Sequence, residues 1–222
     1  MPQTAPYQPA LLRMLHGAIA LLTVLALITG FWVYDVYDKR WGSLALPPLG
    51  DIQGIHGTIA LTFLLLLPVF ALYSFHLGDR RLLQEQSLSQ LKQFNQPVWW
   101  IAVHRLVNTV MLLAATFAVV TGRMMKEEWL PAGELDRQWY LAHLIAWGVV
   151  LVSFALHLLL GIKVGGVPLL ISMFTWQMRE NDAPRSWLQG IKVPPTSTVL
   201  KVVEVVVIGG IVAAFLLPVF NL

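Results

Sequence analysis

Two histidines, His143 and His157, lie fourteen residues apart inside the apolar run Leu141–Ile162. At ~100° per residue, fourteen residues turn ~1400°, about 40° short of four full helical turns. Both imidazoles therefore leave the same face of one helix. The rise between them is ~21 Å, most of the ~30 Å hydrocarbon core of a bilayer. One ring stands near each membrane surface, and both point into the same bundle interior. Imidazole is an axial ligand of haem iron, and a bundle supplies such ligands from facing helices. Two sites of that kind, one above the other, suit the movement of electrons through a membrane.

Four more histidines, His16, His56, His76 and His104, lie in or at the ends of the first three apolar runs. An ionisable side chain within a membrane helix is costly and marks a candidate site. A single one is equally well explained by an interhelical hydrogen bond or a ring at the interface; the set as a whole is not. Sorted by depth, His56 and His143 share the outer level, so they are expected to face each other across one haem. The inner level holds His16, His76, His104 and His157. His157 is the first choice there because it shares a face with His143, and its partner is left open between His16, His104 and His76. His76 is the weakest of these. It is ~2000° of helix from His56, about 200° past five full turns, and so faces away from it. Its ligand role would be to a third haem shared with His104.

These residues need membrane helices to hold them. Of the 222 residues 57% are hydrophobic and only 12% charged, and the mean hydropathy is +0.67. A water-soluble fold of this length cannot hide so much apolar surface. Five runs reach the ~20 residues a bilayer requires: Leu11–Tyr34, Ile52–Phe75, Val98–Thr121, Leu141–Ile162 and Val199–Phe220. The first exceeds a signal-peptide core and lacks a clear small-residue cleavage site. The fifth carries Lys201 and Glu204, which leave an interfacial helix as its alternative. The fold class is therefore all-α, an integral membrane four-helix haem-binding bundle with a fifth, C-terminal transmembrane helix. Residues 1–163 form the dihaem core, and residues 164–222 form a cytoplasmic interfacial segment plus the fifth helix. Within that segment Val167–Met178, with Phe174 and Trp176, reads as a short interfacial helix.

The charges orient the bundle. The N-terminus, second loop and fourth loop, with the span ends beside them, carry Arg13, Arg80, Arg81, Lys92, Arg105, Lys163, Arg179, Arg185, Lys192 and Lys201. The first and third loops carry only Lys39, Arg40, Arg123, Lys126 and Arg137. Ten cations against five place the N-terminus in the cytoplasm and, after five spans, the C-terminus on the opposite side. The net charge of +3 is spread over the span ends, with no run suited to nucleic acid. The absence of cysteine excludes disulfides, iron–sulfur clusters and thioether-attached haem. Haem propionates are anions that need cations near the interface. Arg13, one turn before His16, Arg105 at similar depth and Arg137 on the outer side are the candidates, with membrane anchoring as their alternative role. A weak internal repeat runs through the chain. Spans one and three each begin with a histidine and end in Thr-Gly (Thr29-Gly30, Thr121-Gly122).

The pattern Arg13-x-x-His16, His56 opening span two, Thr-Gly closing span three, and His143 with His157 on span four resembles the membrane dihaem b-type cytochromes. These include the gamma subunit of formate dehydrogenase, the cytochrome b subunit of nickel–iron hydrogenase and stand-alone bacterial cytochrome b relatives. The resemblance covers about Leu11–Ile162. It implies two haem b groups, the outer held by His56 and His143, the inner by His16 and His157. It also implies a quinone as substrate beside the inner haem, where His104 and Asn108, with Arg105, stand ready to hydrogen-bond a carbonyl or relay a proton. Gly17 and the His104-Arg105 pair depart from the family's usual residues, and the fifth span exceeds its usual four. The expected role is an electron-transfer subunit, or a stand-alone quinone-linked cytochrome, in an energy-converting bacterial-type membrane. Its expected partners are the lipid bilayer, quinone, and a peripheral or periplasmic redox subunit or electron carrier. No nucleic acid is expected. The alternative is a proton or metal transporter built on intramembrane histidines, but spans one to four hold no midplane carboxylate.

Overall fold

The computed structural model describes residues 7–125, 138–175, 177–179, 182–187, 189 and 197–217. Six α-helices follow in order: α1 (Ala10–Tyr37), α2 (Ile52–His76), α3 (Glu85–Gln90), α4 (Pro97–Met124), α5 (Gln138–Ser172) and α6 (Thr198–Leu216). All but α3 are long and apolar enough to cross a membrane. Their outward faces carry Leu21, Ile28, Leu65, Val69, Ile145, Val152, Leu159 and Val205, all exposed. Such a continuous apolar belt suits hydrocarbon and would be an aggregation liability in water. The expected all-α membrane bundle with a fifth span is what the chain forms.

Local chemistry sets the helix ends that matter for the site. Asp51 caps α2 by accepting a hydrogen bond from the Gly54 amide at 3.0 Å, which satisfies one orphan donor of the first turn. His56 therefore follows a well-formed first turn. Pro97 opens α4, where its missing N–H costs nothing. α5 bends at Gly166, whose φ of 70° and ψ of 174° only glycine adopts readily. Pro168 follows at the start of the new leg, where it needs no donor. The short leg ends at Ser172, earlier than the sequence pattern suggests. Ser172 Oγ turns back to the Leu169 carbonyl at 2.6 Å, and the Met173 and Phe174 amides close three-residue turns on Leu170 and Ile171. Phe174 is 76% exposed, and Trp176 lies outside the described residues.

The helices associate as two neighbouring pairs, α1 with α2 and α4 with α5, and α6 lies against α4 and α2. The dense core sits between α2, α4 and α6. Phe63, Leu67, Ala71 and Phe75 of α2 meet Leu112 of α4 and Leu200, Val207 and Ile211 of α6. Gly210 lets α6 approach closely, since a Cβ there would run into Thr116 Cγ2 at 2.7 Å. His76 closes the contact at the N-terminal end of α6 by a 2.8 Å bond from Nε2 to Glu204 Oε1. Packing is thus concentrated on one side of the bundle. On the other side α1 and α5 touch only sparsely, and the ring pairs His56–His143 and His16–His157 lie there.

Candidate functional site

His56 sits at the start of the second turn of α2 and His143 in the second turn of α5. Their ring centroids are 6.2 Å apart, with planes at 77°. Each ring is held from behind by a neighbouring helix. Thr29 Oγ1 on α1 lies 3.0 Å from His56 Nδ1. The same hydroxyl donates its proton to the Leu25 carbonyl at 2.7 Å, so toward His56 it accepts. The Ala118 carbonyl on α4 lies 2.9 Å from His143 Nδ1, and Thr121 Oγ1 lies 3.1 Å away. A carbonyl only accepts, so this Nδ1 carries the proton. In both rings Nε2 is left with the lone pair.

Glycines make room for these contacts. A Cβ at Gly30 would stand 3.1 Å from His56 Cε1, and one at Gly122 would stand 3.3 Å from His143 Cε1. A cavity of 620 Å³ opens beside the pair, walled by Phe31, Tyr34, Trp41, Tyr140 and Trp147 among others. That volume is within the roughly 300–1,000 Å³ of ordinary cofactor pockets. Trp147 is fixed by its Nε1–H to the Leu27 carbonyl at 3.1 Å. The first loop folds over the mouth because the fully buried Asp35 carboxylate accepts the backbone amides of Leu44 and Leu46. Tyr140 donates to Asp38 Oδ2 at 2.8 Å, which ties the start of α5 to the end of α1.

At the other end His157 of α5 lies between two rings. The centroid of His16 on α1 is 5.9 Å away and tilted by 37°. The centroid of His104 on α4 is 5.3 Å away. His157 Nδ1 donates to Asn108 Oδ1 at 2.7 Å. The Asn108 amide is oriented by its own Nδ2–H to the Arg81 carbonyl at 3.0 Å. His104 Nε2 lies 3.4 Å from the same Nδ1 of His157. Hence His104 approaches the nitrogen already in use, and Nε2 of His157 keeps its lone pair.

A magnitude separates these pairs. An imidazole nitrogen binds a first-row metal at about 2.0–2.1 Å, so two imidazoles that held one such ion between them would have ring centroids roughly 6.3 Å apart. The His56–His143 and His16–His157 separations of 6.2 and 5.9 Å are close to that span. The His104–His157 separation of 5.3 Å is short of it. The facing imidazoles would thus fit haem iron at both depths, and Gly30 and Gly122 leave room for the His56 and His143 rings themselves. A further fit is Arg13. It is only 8% exposed, its guanidinium lies over the Tyr7 ring at 5.0 Å, and while its Nη2 donates to the Gln177 carbonyl at 2.9 Å, its buried Nη1 has no hydrogen-bond partner in the protein. A buried guanidinium nitrogen left open is what an anionic propionate would complete.

The other sequence candidates fall as follows. Arg105 reaches Ser87 Oγ at 3.5 Å. His76 is committed to Glu204. Arg137 lies outside the described residues. Thr29, Thr121 and Ala118 have contacts that sequence reasoning missed. The Thr-Gly repeat was their signal, since it falls at the depth of His56 and His143. Comparison with known proteins finds one family model, prokaryotic cytochrome b561, which matches residues 7–176. No curated protein and no solved structure matches.

Proposed function

The chain belongs to the prokaryotic cytochrome b561 family of integral membrane b-type cytochromes, and from that premise we propose that it moves electrons across the bilayer through two b haems, between a redox partner and the quinone pool. The observation that carries this reading is the pair of facing histidines at each of two depths, at separations of 6.2 and 5.9 Å. Haem b, when bound, supplies one-electron chemistry on iron at each depth.

The chain's own residues do the rest. His56 and His143 hold the outer haem, and His16 and His157 hold the inner one. Arg13 neutralises an inner propionate, with Arg105 as a second cation at that level and Arg137 as one on the outer side. The aromatic wall of Phe31, Tyr34, Tyr140 and Trp147 keeps water from the outer ring and gives a flat group two faces to pack on. The N-terminus lies in the cytoplasm, as the cation excess on that side requires. The C-terminus then emerges opposite.

A quinone binds beside the inner histidines. His104 is the group we assign to a quinone carbonyl, because Asn108 has both ends of its amide engaged. Asn108 serves that site through His157, and Arg105 lies one residue from His104 to favour the reduced, anionic oxygen. Quinone reduction consumes two electrons and two protons, and a histidine near the aqueous boundary can pass those protons. The redox partner is a peripheral or periplasmic subunit or a soluble electron carrier, and this chain acts as an electron-transfer subunit. Seven acids against five bases in the first and third loops, of which Asp35 is buried, favour an acidic face that docks a cationic electron carrier or peripheral subunit. Association should then weaken as salt rises, and binding indifferent to ionic strength would count against it.

The test is quinol-driven haem reduction in purified, haem-loaded protein. A quinol should reduce the haems of the wild type, and His104→Ala should slow this at least tenfold while both haems stay bound. Equal rates in wild type and variant would remove His104 from the quinone site. No reduction by any quinol would remove the quinone link.

A further inference from the structure

The two Thr-Gly pairs stand in equivalent places. Thr29-Gly30 on α1 backs His56, the first histidine of α2, and Thr121-Gly122 on α4 backs His143, the first histidine of α5. Each pair does two things at once. The threonine hydroxyl is bonded back to its own helix, Thr29 to the Leu25 carbonyl at 2.7 Å and Thr121 to the Phe117 carbonyl at 2.9 Å. Its proton is thereby spent, so the oxygen is left to accept from imidazole Nδ1–H, and a donating hydroxyl accepts more strongly. The glycine lets the Cε1 edge of that ring come to within 3.1 to 3.3 Å of where a Cβ would be. The ring is therefore fixed in tautomer, in position and in rotation about its own axis.

We propose that Thr29 and Thr121 are positioning residues that set the reduction potential and ligand planes of the outer haem, each acting through the histidine it backs. This rests on His56 and His143 being the outer ligands. The physical link is ligand basicity. A bond from Nδ1–H to an acceptor makes Nε2 a stronger donor, which favours the more highly charged ferric iron. Losing the acceptor weakens that preference and raises the potential. The two positions are not equal. His143 keeps the Ala118 carbonyl at 2.9 Å when Thr121 is removed, whereas Thr29 is the acceptor His56 has from α1. Thr29 therefore carries the larger effect. The ring planes, at 77° to one another, give a second readout. Near-perpendicular imidazoles leave two iron d orbitals almost degenerate and give a strongly anisotropic ferric electron paramagnetic resonance signal. Freed rings would drift from that angle.

The experiment uses the full-length haem-loaded protein and the variants Thr29→Val, Thr121→Val and Thr29→Ser, with redox titration, resonance spectra and haem content. Thr29→Val should raise the outer midpoint potential, by about 59 mV for each tenfold loss of ferric preference in a one-electron couple. It should also shift the anisotropic signal and weaken haem retention by roughly 10- to 100-fold. Thr121→Val should do the same to a smaller extent. Thr29→Ser keeps the hydroxyl and should restore the wild-type values. The inner haem should not move in any of them. If His56→Ala and His143→Ala each remove a haem, yet Thr29→Val leaves potential and signal unchanged, the threonines are packing residues and the proposal is overturned. If neither histidine variant loses a haem, the ligand assignment fails first.

Discussion

Three of the four proposed haem ligands have Nδ1 tied to a helix other than their own. His56 is tied to α1, and His143 and His157 are tied to α4. Such bonds fix the tautomer and leave Nε2 for a metal, and removing them costs about 10- to 100-fold in metal affinity. Asn108→Leu should therefore release the inner haem at lower haem-chelator or detergent stress than wild type, while the outer haem stays. Haem content by depth-resolved spectra would check this; equal retention of both haems would make Asn108 a bystander. The histidines themselves were legible in the sequence, because helical period and span length fix their face and depth. Their partners were not. Whether Thr29 reaches His56 depends on the rotation and offset of α1 against α2, which no pattern within either helix encodes. Asn108 is the instructive case. At its depth a quinone contact was a reasonable expectation, but its carbonyl points to His157 and its amide to Arg81.

At the scale of helices, hydropathy placed the first three spans, and the starts of the fourth and fifth, within a few residues of the observed helix ends, since a bilayer demands length and apolarity above all. What it did not encode was the bend at Gly166. The run Gly165-Gly166-Val167-Pro168 sits inside an apolar stretch with no change of composition. Nor did it encode how α6 is held. Its Lys201 and Glu204 looked like marks against a membrane span. Glu204 instead meets His76, the weakest of the inner ligand candidates in the histidine pattern. Both side chains are 18% exposed, so the pair is partly screened. His76→Ala and Glu204→Gln should each lower stability by about 1.5–3 kcal/mol, the usual worth of a hydrogen bond to a charged group. Both should retain both haems. Thermal unfolding followed alongside haem absorbance would separate the two effects, and loss of a haem in His76→Ala would return that residue to the ligand set.

For the whole molecule, the two halves of the chain each contribute a helix pair with one outer histidine and a Thr-Gly that backs it. α6 then clamps α2 to α4 and meets His76 through Glu204. The arrangement concentrates apolar packing between α2, α4 and α6 and leaves a cavity of 620 Å³ beside His56 and His143. The proposed direction across the membrane rests on the charge asymmetry of the loops. A reporter active only outside the cytoplasm should work when fused after α6 and be silent when fused between α2 and α4. The reverse pattern would invert the proposed orientation and place the His16 level outside. The central claim is two haems held by two histidine pairs, and the pyridine haemochrome ratio of purified protein tests it most directly. The expected result is two haems per chain in the wild type and one in each of His16→Ala, His56→Ala, His143→Ala and His157→Ala, with His76→Ala unchanged at two. A ratio near zero in well-folded wild-type protein, or two haems retained without His143 or His157, would contradict it.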